Sequence, residues 1–133
     1  MRVADIMRTN LETIDVDATV ADAVASLTET GVSALPVIDR MGRAVGICST
    51  QDVLAAEGRC HGPAAREQLF EKTLVLEIMT PWPATAHPEE DVRIVARRMF
   101  EGKVQRLFVE EQGALVGVIS QTDIVAAVAA TRV

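Results

Sequence analysis

Residues 3–56 read VADIMRTNLETIDVDATVADAVASLTETGVSALPVIDRMGRAVGICSTQDVLAA, and residues 75–127 read VLEIMTPWPATAHPEEDVRIVARRMFEGKVQRLFVEEQGALVGVISQTDIVAA. Laid over each other at an offset of 72, the two stretches share sparse landmarks. Ile6-Met7 falls on Ile78-Met79, Thr13 on Thr85 and Val20 on Val92, while Val32, Leu35 and Val37 fall on Val104, Leu107 and Val109. A turn one residue shorter in the second copy lowers the offset to 71. Gly46, Ser49 and Asp52 then meet Gly117, Ser120 and Asp123. One order of landmarks held over such a length marks an internal duplication.

Each copy predicts the same elements. A short helical turn carries Asp/Glu-x-Met or its equivalent, and an extended segment follows near Thr13 or Thr85. Val20, Ala23, Val24 and Leu27, and again Val92, Val95, Ala96 and Met99, recur at i, i+3, i+4 and i+7, one face of a helix. Thr19 and Asp91 stand where N-caps belong. Two strands follow, expected at Ala34–Ile38 and Ala44–Cys48 in the first copy and at Arg106–Glu110 and Leu115–Ile119 in the second. Hairpin-like turns join them, and a helix closes each copy from about Thr50 or Gln121. The predicted class is α/β, with the order β-α-β-β-α twice. A single unit of about 55 residues would have a meagre core. The two repeats are therefore expected to pack through their sheets with pseudo-twofold symmetry. The expected organisation is repeat 1 over residues 1–57, a connecting segment over 58–74 with a short helix from Pro63, and repeat 2 over 75–133.

Composition narrows the function. Of the 133 residues, 49% are apolar but only 3% aromatic, so the core must be aliphatic and the stacking platforms of single-strand nucleic-acid binders are scarce. The net charge is −6. Residues 1–72 hold 7 basic and 11 acidic side chains and residues 73–133 hold 6 and 8, so neither half is a basic arm for nucleic acid. The longest apolar stretch, near Ile124–Ala130, is far shorter than the ~20 residues of a membrane span, and MRVADIM carries no apolar signal core. The expectation is a cytoplasmic protein that engages neither membrane nor nucleic acid.

Chemistry concentrates where each copy reads Gly-h-h-Ser-x-x-Asp (h, apolar): Gly46–Asp52 and Gly117–Asp123. Ser49 and Ser120 sit at a helix N-terminus, where free backbone N–H groups and the helix dipole favour an anion. Asp52 and Asp123 follow in the first turn, where a carboxylate can accept hydrogen bonds from vicinal ribose hydroxyls. Glycine permits close approach of a ligand or a neighbouring backbone. The same spacing also serves as a capping box that needs no ligand. Elsewhere the signals are thin. Cys48, Cys60, His61 and His87 are too few and too scattered for a metal site, no Ser/His/Asp set presents itself, and no GxxxxGK[ST] loop occurs. No catalytic and no metal-binding residues are assigned, and an enzyme is not expected.

With the DIM/EIM starts, the VSALPVID strand and the duplicated Gly-h-h-Ser-x-x-Asp ends in place, the chain resembles a tandem pair of CBS domains, a Bateman module named after cystathionine β-synthase. The resemblance covers nearly the whole chain apart from the connecting segment. It implies a regulatory or sensor module whose two clefts take adenosine-containing ligands: AMP, ADP, ATP or S-adenosylmethionine. No cofactor is required for chemistry. It also implies a homodimer, a disc of four repeats, acting on a possible separate target protein. The alternative is a ligand-free pair that acts through dimerisation alone.

Carried over residue by residue, the resemblance implies one cleft built from Ser120, Asp123 and Arg106, with Val32, Ser33 and Ala34 lining the adenine pocket near Met7–Thr13. It implies a second built from Ser49 and Asp52 with Val104, Gln105 and the Thr80–Thr85 segment. Arg106 offers a permanent cation where the other cleft has Ala34, so phosphorylated ligand is expected to bind more tightly beside Asp123. A competing expectation pairs Arg106 with Glu110. Phe108 stands where repeat 1 has Pro36, and is expected either in the core or narrowing the Asp52 cleft. Trp82, between two prolines, is read as a packing plug, with stacking on a base as the alternative.

Overall fold

The computed structural model describes residues 1–81 and 84–131. Trp82, and with it the choice between packing plug and base platform, lies outside the described residues.

The chain divides into two compact units that cut across the repeats: Met1–Leu11 with Ala84–Val133, and Glu12–Pro83. Each unit therefore takes its opening segment from the other repeat. The second unit holds β1 (Ile14–Asp15), α2 (Val20–Thr30), β2 (Ala34–Ile38), β3 (Ala44–Ser49), α3 (Thr50–Gly58), α4 (Pro63–Lys72), α5 (Val75–Ile78) and β4 (Thr80–Pro81). The first unit holds α1 (Val3–Ile6), β5 (Thr85–Ala86), α6 (Val92–Gly102), β6 (Arg106–Glu111), β7 (Ala114–Ser120) and α7 (Gln121–Thr131). The architecture is α/β with two sheets, ordered β1-β2-β3-β4 and β5-β6-β7. In each, the short first strand runs parallel to its neighbour and the next pair is antiparallel. A register shift interrupts the hairpin at the matching place, Val37/Ile38 and Val109/Glu110.

Local chemistry explains the element ends. Thr19 caps α2 in a reciprocal box with Asp22. Asp91 accepts the Arg93 N–H at the start of α6 (2.8 Å). Pro63 opens α4 at its first turn, where its missing N–H costs nothing. The residue lost between the copies lies in the hairpin turn. In the second unit Asp39 accepts the N–H groups of Met41 (2.9 Å) and Arg43 (3.0 Å), a side-chain-supported turn. In the first unit Gln112 and Gly113, both at positive φ, join Glu111 directly to Ala114, as a two-residue mirror-image turn requires.

The cores are aliphatic. Val3, Val92, Val95, Met99, Leu107, Val109 and Ile119 are buried together in the first unit. Ala23, Leu27, Leu35, Val37, Cys48 and Val75 form the corresponding cluster in the second. A further cluster joins Val20 and Ala56 to Leu69 of α4, so the connecting segment is anchored through its one buried leucine. Phe108 is buried. No helix among the described residues is long and apolar enough to cross a membrane.

Candidate functional site

The two Ser-x-x-Asp turns fold as helix caps. Ser120 N–H donates to Asp123 Oδ2 (3.0 Å) and Asp123 N–H donates to Ser120 Oγ (3.0 Å). Around α3, Ser49 N–H and Ser49 Oγ donate to Asp52 Oδ2 (2.8 and 2.9 Å), and Asp52 N–H donates to Ser49 Oγ (3.1 Å). The capping expectation is thus realised in both copies. It consumes one oxygen of each carboxylate and leaves the other to a second partner.

That partner comes from the opening segment of the other repeat. Arg8 Nε donates to Asp123 Oδ1 at 3.1 Å. Thr80, at the matching position, donates from Oγ1 to Asp52 Oδ1 at 2.9 Å. The segments are held in place by backbone. Arg8 and Val118 exchange two N–H···O bonds (2.9 and 3.0 Å) on the edge of β7, and Thr80–Pro81 pairs with Gly46-Ile47 on β3. The glycines make this docking possible. A Cβ on Gly117 would stand 2.8 Å from Met7 Sδ and 3.0 Å from Arg8 O; one on Gly46 would stand 2.7 Å from Thr80 O and 2.8 Å from Met79 Sδ. The residue that approaches each glycine is thus the methionine and the following backbone of the DIM or EIM start.

Within the first unit a cleft of about 530 Å³ opens beside Asp123, lined by Arg8, Gln105, Arg106, Val118 and the Ser120–Asp123 turn. Arg106 faces Ser120 across the hairpin and its side chain has no ion pair or hydrogen bond among the described residues, so the pairing with Glu110 does not form. Burial pushes the Asp123 carboxyl up, but hydrogen bonds from Ser120 and Arg8 and the Arg8 charge outweigh it. Its pKa lies below the ordinary carboxylate value. Asp123 is therefore an acceptor-only carboxylate at neutral pH, paired with the Arg8 guanidinium in a cleft that Arg106 also lines.

The remaining residues singled out in the sequence fall as follows. Ser33 and Ala34 lie in the second unit beside Ser49: Ala34 is its cross-strand partner, and Ser33 O accepts the first helical N–H of α3, from Thr50 (3.0 Å). Val32 and Thr13 belong to the same unit. Val104 and Gln105 lie in the first unit beside Ser120, where Gln121 donates its backbone N–H to Gln105 O (2.9 Å) and its side chain to Val104 O (2.9 Å). Thr85 is in β5, its carbonyl accepting from Arg98. Arg98 also pairs closely with Glu90, whose carboxyl is held below its usual value mainly by that hydrogen bond. Cys48 is buried, and burial, with the Asp52 charge, pushes its thiol up to about 11. Among the described residues no three His, Cys, Asp or Glu side chains converge as a metal cluster. Arg8 is the site residue that sequence reasoning missed. Its signal was present, since the offset of 72 aligns Arg8 with Thr80, but nothing in that pairing of unlike residues pointed to the helix cap across the fold.

A profile of the CBS domain matches residues 3–59 and 75–130, and the chain belongs to that family. CBSX2, a CBS domain-containing protein of Arabidopsis thaliana named as chloroplastic, is 30% identical over 94% of this chain and 62% of its own length. Its crystal structure in complex with AMP superposes with a TM-score of 0.79 at 28% identity, covering 99% of this chain and 98% of that one. The CBS domain pair of protein MJ0100, in complex with 5′-methylthioadenosine and S-adenosyl-L-methionine, superposes at 0.76 and 25% identity over 98% of both chains. A homoserine O-acetyltransferase of Methanococcoides burtonii is 30% identical over 92% of this chain but only 23% of its own length. The chain thus spans less than two thirds of these curated relatives, 62% of one and 23% of the other.

Proposed function

We propose that this chain is a regulatory module that binds an adenosine-containing ligand and passes its presence to a partner. The observation that carries the reading is the cleft beside Asp123. A carboxylate fixed by a helix cap and by Arg8, each oxygen keeping a lone pair to accept from a ribose diol, shares the cleft with an arginine without an ion pair among the described residues, Arg106, suited to a phosphate. The ligands of CBSX2 and the MJ0100 pair, AMP in one and 5′-methylthioadenosine with S-adenosyl-L-methionine in the other, support the same class. Ser49 and Asp52 supply a second site of the same construction, with Ala34 beside Ser49. The module acts by binding and not by catalysis, in the cytoplasm, as a dimer of two chains. Its mechanism needs only unequal affinity of the ligand for two conformations of the chain.

The completed caps favour a second reading, because Ser49 and Ser120 are satisfied without any ligand: a pair of repeats that acts through dimerisation alone. Thermal denaturation separates the two. A ligand that binds only the folded chain raises the melting temperature, by an amount equivalent to about 2.7 kcal/mol at a hundred times its Kd. AMP, ADP, ATP or S-adenosylmethionine is expected to do so. A flat response to all four, and to NAD, establishes the ligand-free reading.

A further inference from the structure

We infer that Arg8 is a specificity-determining residue of the Asp123 cleft, and that with Arg106 it selects adenosine ligands carrying a 5′-phosphate over those with a neutral or cationic tail. The inference rests on the reading of this cleft as an adenosine site. Arg8 reaches the cleft from solvent: its side chain is 72% exposed, whereas that of Asp123 is 11% exposed. Only Nε is engaged, at 3.1 Å from Asp123 Oδ1, and Nη1 and Nη2 have no hydrogen-bond partner among the described residues. The contact brings Nε to Asp123, while the two remaining nitrogens keep their donors for a ligand. Backbone pairing with Val118 holds the Cα of Arg8 against β7, so the arginine is anchored at both ends. Arg106 lines the same cleft with its own donors unused.

Two guanidinium groups converging on one cleft match the oxygens of a phosphate, which accepts parallel N–H bonds from a planar fork. The same charges repel a sulfonium or ammonium tail. Around Asp52 the corresponding positions carry Thr80 and Ala34, neither of which is charged. That second site has no comparable means of favouring a phosphate. The two copies of one motif are thereby sorted by charge: a phosphate-selective site at Asp123 and a site indifferent to the tail at Asp52.

Calorimetric titration of the full chain with AMP, adenosine and S-adenosylmethionine tests this, in the wild-type background and in Asp52→Asn so that the second site does not mask the first. At the Asp123 site, AMP is expected to bind at least about tenfold more tightly than adenosine, the size of one charge-assisted hydrogen bond. Arg8→Gln should reduce AMP affinity about tenfold and leave adenosine within twofold. Arg8→Lys, which keeps the charge without the fork, should fall between. An AMP-to-adenosine ratio unchanged in Arg8→Gln overturns the inference while the adenosine site stands. Equal loss of both ligands also overturns it, because Arg8 is then a scaffold residue. Failure of all three ligands to bind the wild-type chain overturns the adenosine reading itself.

Discussion

The two compact units are built from one motif, yet they differ most at the carboxylate they share. In the first, Asp123 is met by Arg8 in a cleft that Arg106 also lines; in the second, Asp52 is met by Thr80 and has Ala34 beside its cap. The contrast extends to charge. Residues 1–11 and 84–133 carry eight basic and eight acidic side chains, whereas residues 12–83 carry five and eleven. The whole net charge of −6 therefore belongs to the second unit, and the unit with the arginine-lined cleft is neutral. Duplication preserved what the backbone needs, the capping box and the close-approach glycine. The positions around the carboxylate differ in charge between the copies, Arg8 against Thr80 and Arg106 against Ala34.

The largest test of this parity lies in the core. Leu35 and Leu107 occupy matching strand positions and are both fully buried. Leu35→Ala and Leu107→Ala are each expected to lose about 2–5 kcal/mol in urea denaturation. A loss below 1 kcal/mol at either leucine would show that the two cores are not equivalent. Next come the glycines. Gly46→Ala and Gly117→Ala force a Cβ against the docked opening segments and are expected to cost about 1–3 kcal/mol. Gly46→Ala should cost more, because its Cβ would stand 2.7 Å from a backbone carbonyl, against 3.0 Å for Gly117. The reverse order in the same denaturation experiment contradicts the close-approach account.

Under the proposed function, ligand binding is expected to separate the units where stability does not. Asp123→Ala is expected to weaken AMP by about tenfold or more, as loss of hydrogen bonds to a charged group does. Asp52→Ala should weaken it less. Equal losses in titrations of the two variants would remove the ranking of the sites. Acid titration supplies a smaller contrast. Because the folded-state pKa of Asp123 lies below its unfolded value, its contribution to stability is complete above about pH 4. That contribution fades as the pH falls through the folded value. Asp123→Asn should flatten the acid limb of the stability curve measured between pH 2 and 5, and an unchanged limb refutes the assignment. Smallest is the thiol test. With its pKa at about 11 and its side chain buried, Cys48 should resist alkylation at pH 8 while half-buried Cys60 reacts, so one equivalent is taken up before denaturation and a second after.

Much of this was legible in the chain. The hydrophobic spacing of Val20, Ala23 and Leu27 marked α2, and strands were expected within one or two residues of those observed, because period and capping are local properties. The capping role of Ser49 and Ser120 followed from the same local chemistry. Arg106 was singled out by comparing copies, a test that works when one copy holds a charge and the other an alanine. Arg8 escaped because its importance depends on a contact 115 residues away, which no local pattern encodes.

The sequence by itself determined the duplication, the element order, the aliphatic core and the Ser-x-x-Asp turns, all of which rest on short-range spacing and burial preference. Only the tertiary structure decided that each opening segment docks on the sheet of the other repeat, and that Arg8 therefore belongs to Asp123 and Thr80 to Asp52. Strand-edge hydrogen bonds and the room left by a missing Cβ make that choice. Both are satisfied across long stretches of chain, so they act only once the sheets have formed.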